Sequence, residues 1–269
     1  MKLFLPKFYE LLERNLGIAL DDSKHYLIES RLLPIVERSE FEDVSSLIRY
    51  LAQNNVGPLH WQVFELLTTN ETSFFRDKHV FDLLKTSVLP QLIERNQNFK
   101  KLNIWNAAVS SGQEAYSIAM LIREHFPQLN DWEINIHGTD ISKLMLDRAK
   151  LGVYTKHEVS RGVDERMLKK YFSLYVNGGY QIQDSIRDMT KFSSLNLIAD
   201  WSMPTQYDLI MLRNVLIYFN NQTQQMVLEK IHRYLNLNHG FLFIGASEST
   251  SSIHYRREII NGTYCYRPI

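Results

Sequence analysis

Residues Asn103–Asp140 read NIWNAAVSSGQEAYSIAMLIREHFPQLNDWEINIHGTD, and this stretch decides the fold. Its pattern predicts a short buried strand over 102–108, a turn with one glycine, a helix, and a second strand over 133–140. These elements form a βαβ unit of a parallel sheet. The second strand ends on Asp140, where a carboxylate commonly accepts hydrogen bonds from ribose hydroxyls. The stretch therefore predicts a nucleoside site.

The turn argues against a nicotinamide dinucleotide as the ligand. A G-x-G-x-x-G turn needs three glycines to bring its backbone against a pyrophosphate, whereas here Gly112 stands alone. Without a pyrophosphate to bind, S-adenosylmethionine (SAM) is the favoured nucleoside. A purely structural alternative stays open, because Ser111 and Glu114 have the spacing of a capping box that would only satisfy backbone N–H groups.

Composition and charge exclude several classes of function. With 269 residues, of which 45% are hydrophobic, the chain can bury a large core. Lysine plus arginine and aspartate plus glutamate number 30 each, so no global charge attracts nucleic acid. The single cysteine, Cys265, excludes a disulfide framework and a multi-cysteine metal site, and no metal is expected. The apolar runs are too short for a signal peptide or membrane span, so we expect a cytoplasmic protein without membrane insertion.

The pattern of the chain changes near residue 70. Residues 1–70 carry apolar residues at helical spacing, with helix starts at Asp22, Asp43 and Gly57-Pro58, and predict an all-α N-terminal domain. Residues 71–269 alternate strands with helices and predict an α/β domain with a mostly parallel sheet.

Further elements of the α/β domain follow from the same signals. Short alternating strands over about 171–195, around a turn at Asn177-Gly178-Gly179, predict a small antiparallel insert. The remaining predicted elements are strands at 207–212 and 241–245, a helix at about 222–235, and a closing edge strand at 263–266.

Two segments make the chain recognisable: residues 68–76, TTNETSFFR, and residues 213–219, RNVLIYF. Together with the Ser-Gly-x-Glu turn they occur in order with the segments 138–141, 194–197 and 245–248. From about residue 8 to 266 the chain resembles the chemotaxis receptor methyltransferases of the CheR type. The resemblance implies an α/β fold: a Rossmann-like SAM-dependent methyltransferase domain with a small antiparallel β insert, preceded by an all-α receptor-docking domain.

The resemblance also implies an activity. Family members are protein-glutamate O-methyltransferases that use SAM, release S-adenosylhomocysteine, and methylate glutamates on the cytoplasmic helices of methyl-accepting chemotaxis receptors during sensory adaptation. For this chain it implies a bacterial cytoplasmic enzyme, expected to be a monomer, which is recruited to membrane receptor arrays and binds no nucleic acid.

Carried over position by position, the family's cofactor contacts fall on nine residues: Asn70, Thr72, Arg76, Glu114, Asp140, Asn196, Leu197, Arg213 and Asn214. Asp140 is expected to bind the ribose hydroxyls and Glu114 the methionyl ammonium, while Asn196 and the Leu197 backbone read the adenine edge. Arg76 and Tyr218 are the predicted catalytic residues. Arg76 suits a carboxylate, of SAM or of the substrate, and Tyr218 lies near the transferred methyl group in the family.

Each of these assignments has a plainer alternative. Tyr218 and Phe219 could equally be ordinary core aromatics that follow a buried strand. Arg76 could be a solvated residue of a helix, and Asn70 could cap a helix that starts at about residue 71. At the level of function, the alternative is a SAM-binding regulatory or scaffold module without robust methyl transfer. A nucleic-acid methyltransferase is disfavoured by the zero net charge.

The sequence departs from the family pattern in three places. Gln113 precedes Glu114 where a second acid is common. Lys24, Arg31 and Arg38 alternate with acidic residues, which dilutes the basic patch expected for receptor docking. The tight turn at Asn177-Gly178-Gly179 favours an enzyme that needs no tether to a receptor's C-terminal peptide.

Overall fold

The computed structural model describes residues 3–20, 25–250 and 252–269. By their internal contacts they divide into a first unit, Met1–Thr69 with Ile217–Met226, and a second unit, Asn70–Leu216 with Val227–Ile269. The short segment at 217–226 was not expected in the first unit, because the predicted domains, 1–70 and 71–269, were contiguous. The predicted helix start at Asp22 lies outside the described residues.

The N-terminal part of the first unit is helical. Its helices are α1 (Leu5–Leu16), α2 (His25–Val36), α3 (Val44–Gln53) and α4 (Pro58–Leu67). Asp43 caps α3 by accepting a hydrogen bond from the Ser46 N–H, and Pro58 occupies the first turn of α4, so both predicted helix starts are confirmed. The apolar stripes face inward, as shown by Phe8 and Leu47, which are fully buried.

Two polar side chains connect the helices of this unit. The ring of His60 accepts a hydrogen bond from the Gly57 N–H (3.2 Å) and donates one to the Leu51 carbonyl (3.0 Å). Arg31 donates to the carbonyls of Leu67 (2.8 Å) and Thr68 (3.3 Å), at the end of α4. Arg31 therefore holds the end of a helix. Lys24 of the predicted basic patch lies outside the described residues.

The second unit is built on a seven-stranded sheet and a three-stranded sheet. The strands are β1 (Lys101–Ala107), β2 (Glu133–Asp140), β3 (Val153–Tyr154), β4 (Phe172–Leu174), β5 (Tyr180–Ile182), β6 (Thr190–Ser194), β7 (Leu209–Leu212), β8 (Phe241–Ile244), β9 (Tyr255–Ile260) and β10 (Thr263–Pro268). The large sheet has the order β6-β2-β1-β7-β8-β10-β9, in which β10 runs antiparallel to both neighbours.

The order of the large sheet locates its ligand site. From β1 the chain adds β2 and β6 on one side and then β7 and β8 on the other, all parallel. In such sheets the ligand binds beyond the carboxyl ends of the strands, where the strand order reverses. Here the reversal lies between β1 and β7.

Two strand predictions differ from the structure. The strand predicted as a closing edge at 263–266 is the inner strand β10, and the edge is β9, which the sequence analysis missed because Arg256, Arg257 and Glu258 obscure its apolar pattern. The small sheet has the order β3-β5-β4, so it begins before the predicted insert at 171–195. Residues 190–194 belong instead to the large sheet as β6.

Helices cover both faces of the parallel strands. They are α5 (Lys78–Leu83), which continues through a π-helical turn (Leu84–Val88) into α6 (Leu89–Asn96), then α7 (Gln113–His125), α8 (Lys143–Leu151), α9 (Lys156–Ser160), α10 (Glu165–Tyr171), α11 (Asp184–Arg187) and α12 (Asn221–His232). The core between helices and sheet includes Ile104, Ile118 and Met211, all fully buried. Within the ranges that the structure describes, no helix is both long and apolar enough to cross a membrane.

An ionic cluster links the end of α7 to α10. Glu124 accepts hydrogen bonds from Lys170 (2.8 Å), from the Tyr171 hydroxyl (2.7 Å) and from Arg166. These donors, Lys170 foremost, lower the pKa of Glu124 from its ordinary 4.5 to about 2. A carboxyl group whose pKa is depressed by folding stabilises the protein above its unfolded pKa, and this contribution is lost as the pH falls through its folded pKa.

Replacing Glu124 with glutamine is therefore expected to lower the unfolding free energy at pH 7 by about 1 kcal/mol, a figure reduced for the exposure of the partner cations. Urea unfolding at pH 7, 4.5 and 3 measures it: the variant should lose less stability than the wild type between pH 4.5 and 3. Glu165→Gln, in an exposed pair with Lys169, is the control and should change little. If Glu124→Gln loses as much unfolding free energy as the wild type between pH 4.5 and 3, Glu124 is not the source of this pH dependence.

Candidate active site

Asp140 forms hydrogen bonds with two loops at the carboxyl edge of the sheet. It ends β2, is 7% exposed, and its two carboxylate oxygens accept hydrogen bonds from the backbone N–H of Ser110 (2.7 Å) and of Ser142 (2.9 Å). One loop follows β1 and the other follows β2. An ionised carboxylate has about four acceptor positions, so it can accept several hydrogen bonds at once.

The loop after β1 is strongly curved. Ala108 (φ 61°) and Ser110 (φ 52°) adopt left-handed backbone conformations, as does Gly112 (φ 94°), the N-cap residue of α7. A Cβ atom on Gly112 would lie 3.0 Å from the Cβ of Ala149. Glycine is thus required both by the backbone conformation and by the close approach of α8.

The capping-box alternative for this turn is wrong. The N-cap position of α7 is Gly112, which offers no side-chain cap, and the Ser111 hydroxyl donates to the side chain of Gln113 (2.9 Å). Glu114 turns away from the helix start and accepts a hydrogen bond from the Asn106 side chain of β1 (2.9 Å). Its carboxylate is therefore directed toward the reversal point of the sheet.

A buried guanidinium joins two carboxylates at that point. Arg213, which follows β7 and whose side chain is 2% exposed, lies 2.5 Å from Glu114 through one nitrogen and 2.5 Å from Asp77 through another. It also donates to the carbonyl of Arg76 (3.1 Å). Arg213 thus holds the segment before α5 and the first turn of α7 in one arrangement. Its predicted contact with the cofactor stays a prediction.

Two polar atoms of this cluster have no partner. In the part of the chain that the structure describes, Asn106 Oδ1 and Arg213 Nε are buried and form no hydrogen bond. Buried polar atoms are rarely left unpaired without a reason such as a ligand or a bound water. The two atoms show that the polar capacity of the cluster exceeds what the protein itself uses.

The Glu248 side chain joins the loops that follow β7 and β8. The Glu248 carboxylate accepts hydrogen bonds from the N–H of Asn214 (3.0 Å) and from that of Gly245 (2.5 Å). Asn214 has a left-handed conformation (φ 59°), and a Cβ on Gly245 would lie 2.8 Å from the Asn214 side-chain nitrogen and 2.9 Å from its backbone nitrogen. Gly245 therefore permits the close approach that positions Asn214.

The segment before α5 carries three predicted contacts and is irregular. The Asn70 carbonyl accepts a hydrogen bond from the Ser110 hydroxyl (2.9 Å), and Thr72 and Arg76 lie in the loop that follows. Arg76 donates to the carbonyl of Glu71 (3.0 Å). Helix α5 begins only at Lys78, so the alternatives in which Asn70 caps a helix and Arg76 lies on one are both wrong.

Tyr218 belongs to the first unit and must be described there. It ends the short 3₁₀-helix Leu216–Tyr218, its side chain is half-buried, and its carbonyl accepts a hydrogen bond from the Ala19 N–H (2.9 Å). Phe219 is buried at 8% exposure. The core-aromatic alternative therefore fits Phe219 and not Tyr218.

The sequence analysis missed Asp77 and Asn106. Asp77 stands directly before a helix, where an aspartate usually signals a cap, yet it makes no cap bond and pairs with Arg213 instead. Asn106 is a polar residue within an apolar strand, and this contrast is the one feature of the sequence that could have indicated a functional role for it. Among the residues described, no group of three or more His, Cys, Asp or Glu could hold a metal ion.

The residues present fit a nucleoside carrying a cationic amino-acid tail. Asp140 offers acceptors for hydroxyls, and Glu114 offers a carboxylate for an ammonium group, although Arg213 already shares it. At the same edge of the sheet, Asn106 Oδ1 and Arg213 Nε are buried polar atoms without a hydrogen-bond partner among the residues described. This donor and acceptor set agrees with SAM.

Comparison with known proteins identifies the family. The family model "CheR methyltransferase, all-alpha domain" matches residues 5–68, and "CheR methyltransferase, SAM binding domain" matches residues 70–265. Chemotaxis protein methyltransferase Cher2 of Pseudomonas putida is 37% identical over 93% of this chain and 92% of its own length. Chemotaxis protein methyltransferase 1 of Vibrio cholerae is 35% identical over 94% of this chain and 91% of its own. The predicted fold class and cofactor are confirmed: the chain belongs to the CheR methyltransferase family, as a SAM-dependent methyltransferase with an all-α N-terminal domain.

Proposed function

We propose that the protein methylates glutamate side chains on the cytoplasmic helices of methyl-accepting chemotaxis receptors, giving glutamate methyl esters and S-adenosylhomocysteine. The observation that carries this proposal is the match of both domains to one family, with relatives named chemotaxis protein methyltransferases that align over more than nine-tenths of their length. The alternative of a regulatory module without methyl transfer is not favoured by these relatives.

The proposed chemistry demands orientation more than proton transfer. Bound SAM supplies a methyl group on a sulfonium sulfur. A glutamate side chain has an ordinary pKa of about 4.3 and is already ionised at neutral pH, so the chain needs no general base to form the nucleophile. Holding the carboxylate oxygen in line and excluding water can lower such a barrier by about 7–11 kcal/mol.

We assign the orienting roles to the residues carried over from the family. Arg76 uses one guanidinium nitrogen for the Glu71 carbonyl and retains further N–H donors for a carboxylate. Asp140 would hold the ribose, Glu114 the ammonium group, and Asn196 with Leu197 the adenine. Thr72 and Asn214 lie in loops before α5 and after β7, from which they would contact the cofactor.

We assign recognition of the receptor to the all-α domain. The protein would act as a monomer, on the cytoplasmic side of membrane receptor arrays. Because Lys24, Arg31 and Arg38 alternate with acidic residues, little net positive charge is left to attract acidic receptor helices. We therefore propose docking that depends less on salt than in relatives with a strongly basic helix.

Titration with SAM and S-adenosylhomocysteine, followed by transfer from methyl-labelled SAM to a receptor cytoplasmic fragment, tests the proposed function. The expected result is binding of both ligands and label that is released as methanol at alkaline pH, because carboxyl methyl esters hydrolyse there. Binding without transfer would instead support the regulatory module, and alkali-stable label would show that the acceptor is not a carboxylate.

Tyr218→Phe tests the assigned catalytic tyrosine. The variant should bind S-adenosylhomocysteine within about twofold of the wild type and lower kcat by about tenfold, because one hydrogen bond that orients the substrate carboxylate is lost. Steady-state methyl transfer measures both parameters, with Tyr264→Phe, a half-exposed tyrosine of β10, as the control. Full turnover by Tyr218→Phe would remove its hydroxyl from the mechanism.

A further inference from the structure

Four successive carbonyl groups in the loop that follows β6 accept hydrogen bonds. In residues 196–199 the Asn196 carbonyl accepts from the Ala199 N–H (3.1 Å), and the Leu197 carbonyl accepts from the indole N–H of Trp201 (3.1 Å). The next two carbonyls, of Ile198 and Ala199, accept from the ammonium group of Lys230 (3.0 and 2.8 Å). Four successive acceptors are thus bound from the protein side.

Lys230 reaches this loop from α12. An ammonium group has three N–H donors, and two of them bind the loop here. Hydrogen bonds from a charged donor are stronger than those from a neutral donor. Lys230 therefore fixes the end of the loop more firmly than a neutral side chain would.

Trp201 connects the loop to the sheet that carries Asp140. Its ring packs edge-on against Trp105 of β1, with centroids 5.4 Å apart, and Trp105 donates its indole N–H to Thr139 of β2 (2.9 Å). On its other side the ring contacts Tyr234. At the start of the loop, the Leu195 N–H donates to the carbonyl of Asp140 (3.0 Å). The loop and Asp140 are thus placed by the same strands.

We propose that Lys230 and Trp201 are positioning residues for the adenine of SAM. They hold the loop 196–199 by its carbonyls, so that the Leu197 N–H and the Asn196 side chain keep a single orientation toward the base. This inference rests on the adenine role given to Asn196 and Leu197 under the proposed function. It does not depend on which protein receives the methyl group.

The consequence is selectivity for the edge of the base. Adenine has an acceptor at N1, which suits a backbone N–H, whereas hypoxanthine carries a hydrogen there and would face it donor to donor. In a rigid loop the two opposed N–H groups stay without acceptors, which weakens binding of the hypoxanthine ligand strongly. A loosened loop can rearrange, so the same ligand loses less affinity. Loss of either positioning residue should therefore reduce discrimination as well as affinity.

Calorimetric titration with S-adenosylhomocysteine and with S-inosylhomocysteine, its hypoxanthine analogue, measures both quantities. The wild type should prefer the adenine ligand by about 100-fold. In Lys230→Met we expect adenine affinity to fall about tenfold and the preference to narrow to about tenfold. Trp201→Phe keeps an aromatic ring but loses the N–H, and it should also lower the adenine affinity and the preference for adenine. Lys230→Arg should retain the wild-type preference. Lys169→Met, an exposed lysine of α10, is the matched control.

The proposal is overturned if Lys230→Met and Trp201→Phe keep the wild-type preference within twofold, even if their melting temperatures fall, since that would show a merely structural role. A wild type that does not discriminate the two bases overturns it as well. If Lys230→Met does not fold, Trp201→Phe and Lys230→Arg decide by the same ratio. Because the readout is binding, a protein that binds both ligands but methylates no receptor would refute the proposed function without affecting this comparison.

Discussion

Arg213→Met is expected to lower the unfolding free energy by about 3–5 kcal/mol and to abolish measurable binding of S-adenosylhomocysteine. The guanidinium is 2% exposed and lies 2.5 Å from both Glu114 and Asp77. Removing it leaves two carboxylates facing each other in a poorly solvated place, and breaking a buried ion pair from one side costs that much. The repelled carboxylates should also release Glu114 from its position toward the ligand.

Urea unfolding and calorimetric titration of the same samples check both parts. Arg233→Met is the matched control, because Arg233 pairs with Glu229 on the exposed face of α12 and should contribute less than about 1 kcal/mol. Arg213→Lys should fall between the wild type and Arg213→Met, since an ammonium keeps the charge but loses the planar fork. An Arg213→Met protein with wild-type stability and affinity would show that the ion cluster has neither role.

Asp140→Ala is expected to weaken binding of S-adenosylhomocysteine by at least about 100-fold. Two hydrogen bonds from ribose hydroxyls to a carboxylate contribute about 1.5 kcal/mol or more each, and 1.4 kcal/mol corresponds to a factor of ten. The substitution also removes the acceptor of the Ser110 and Ser142 N–H groups, so the loops after β1 and β2 lose their common anchor.

A ligand variant separates the ribose contact from this loop effect. The wild type should bind the 2′-deoxy analogue of S-adenosylhomocysteine more weakly than the parent, whereas Asp140→Ala should bind the two alike, as in a double-mutant cycle. Asp131→Ala, an exposed aspartate that pairs with Lys100, is the control and should retain the difference. If Asp140→Ala still distinguishes the two ligands, another residue holds the ribose.

The sequence predicted those parts of the site that rest on local periodicity. The strand over 133–140 is confirmed residue for residue as β2, which places Asp140 at the carboxyl edge of the sheet, and a helix follows the turn at Gly112 as the pattern indicated. Strand period and turn chemistry are properties of neighbouring residues, so a single sequence reveals them.

The remainder depends on partners distant in the chain. Arg213 lies 136 residues from Asp77 and 99 from Glu114, and nothing in the local pattern of either acid indicates that pairing. The spacing of Ser111 and Glu114 even suggested a cap, because the pattern cannot show that a guanidinium from β7 attracts the glutamate. Strand β9 was missed for a related reason: its charged residues are tolerated because it lies at the sheet edge, which only the completed topology reveals.

The first unit is assembled from two pieces of chain, and this limits how such proteins can be recombined. A backbone bridge joins Ile18 to Phe219, the Ala19 N–H binds the Tyr218 carbonyl, and the Asn220 side chain binds Glu13. A chimera that exchanges only residues 1–69 would therefore graft a foreign partner onto the native segment 217–226. Retargeting by domain exchange requires three junctions, at 69/70, 216/217 and 226/227, so that the donor's residue equivalent to Tyr218 is exchanged together with its N-terminal helices.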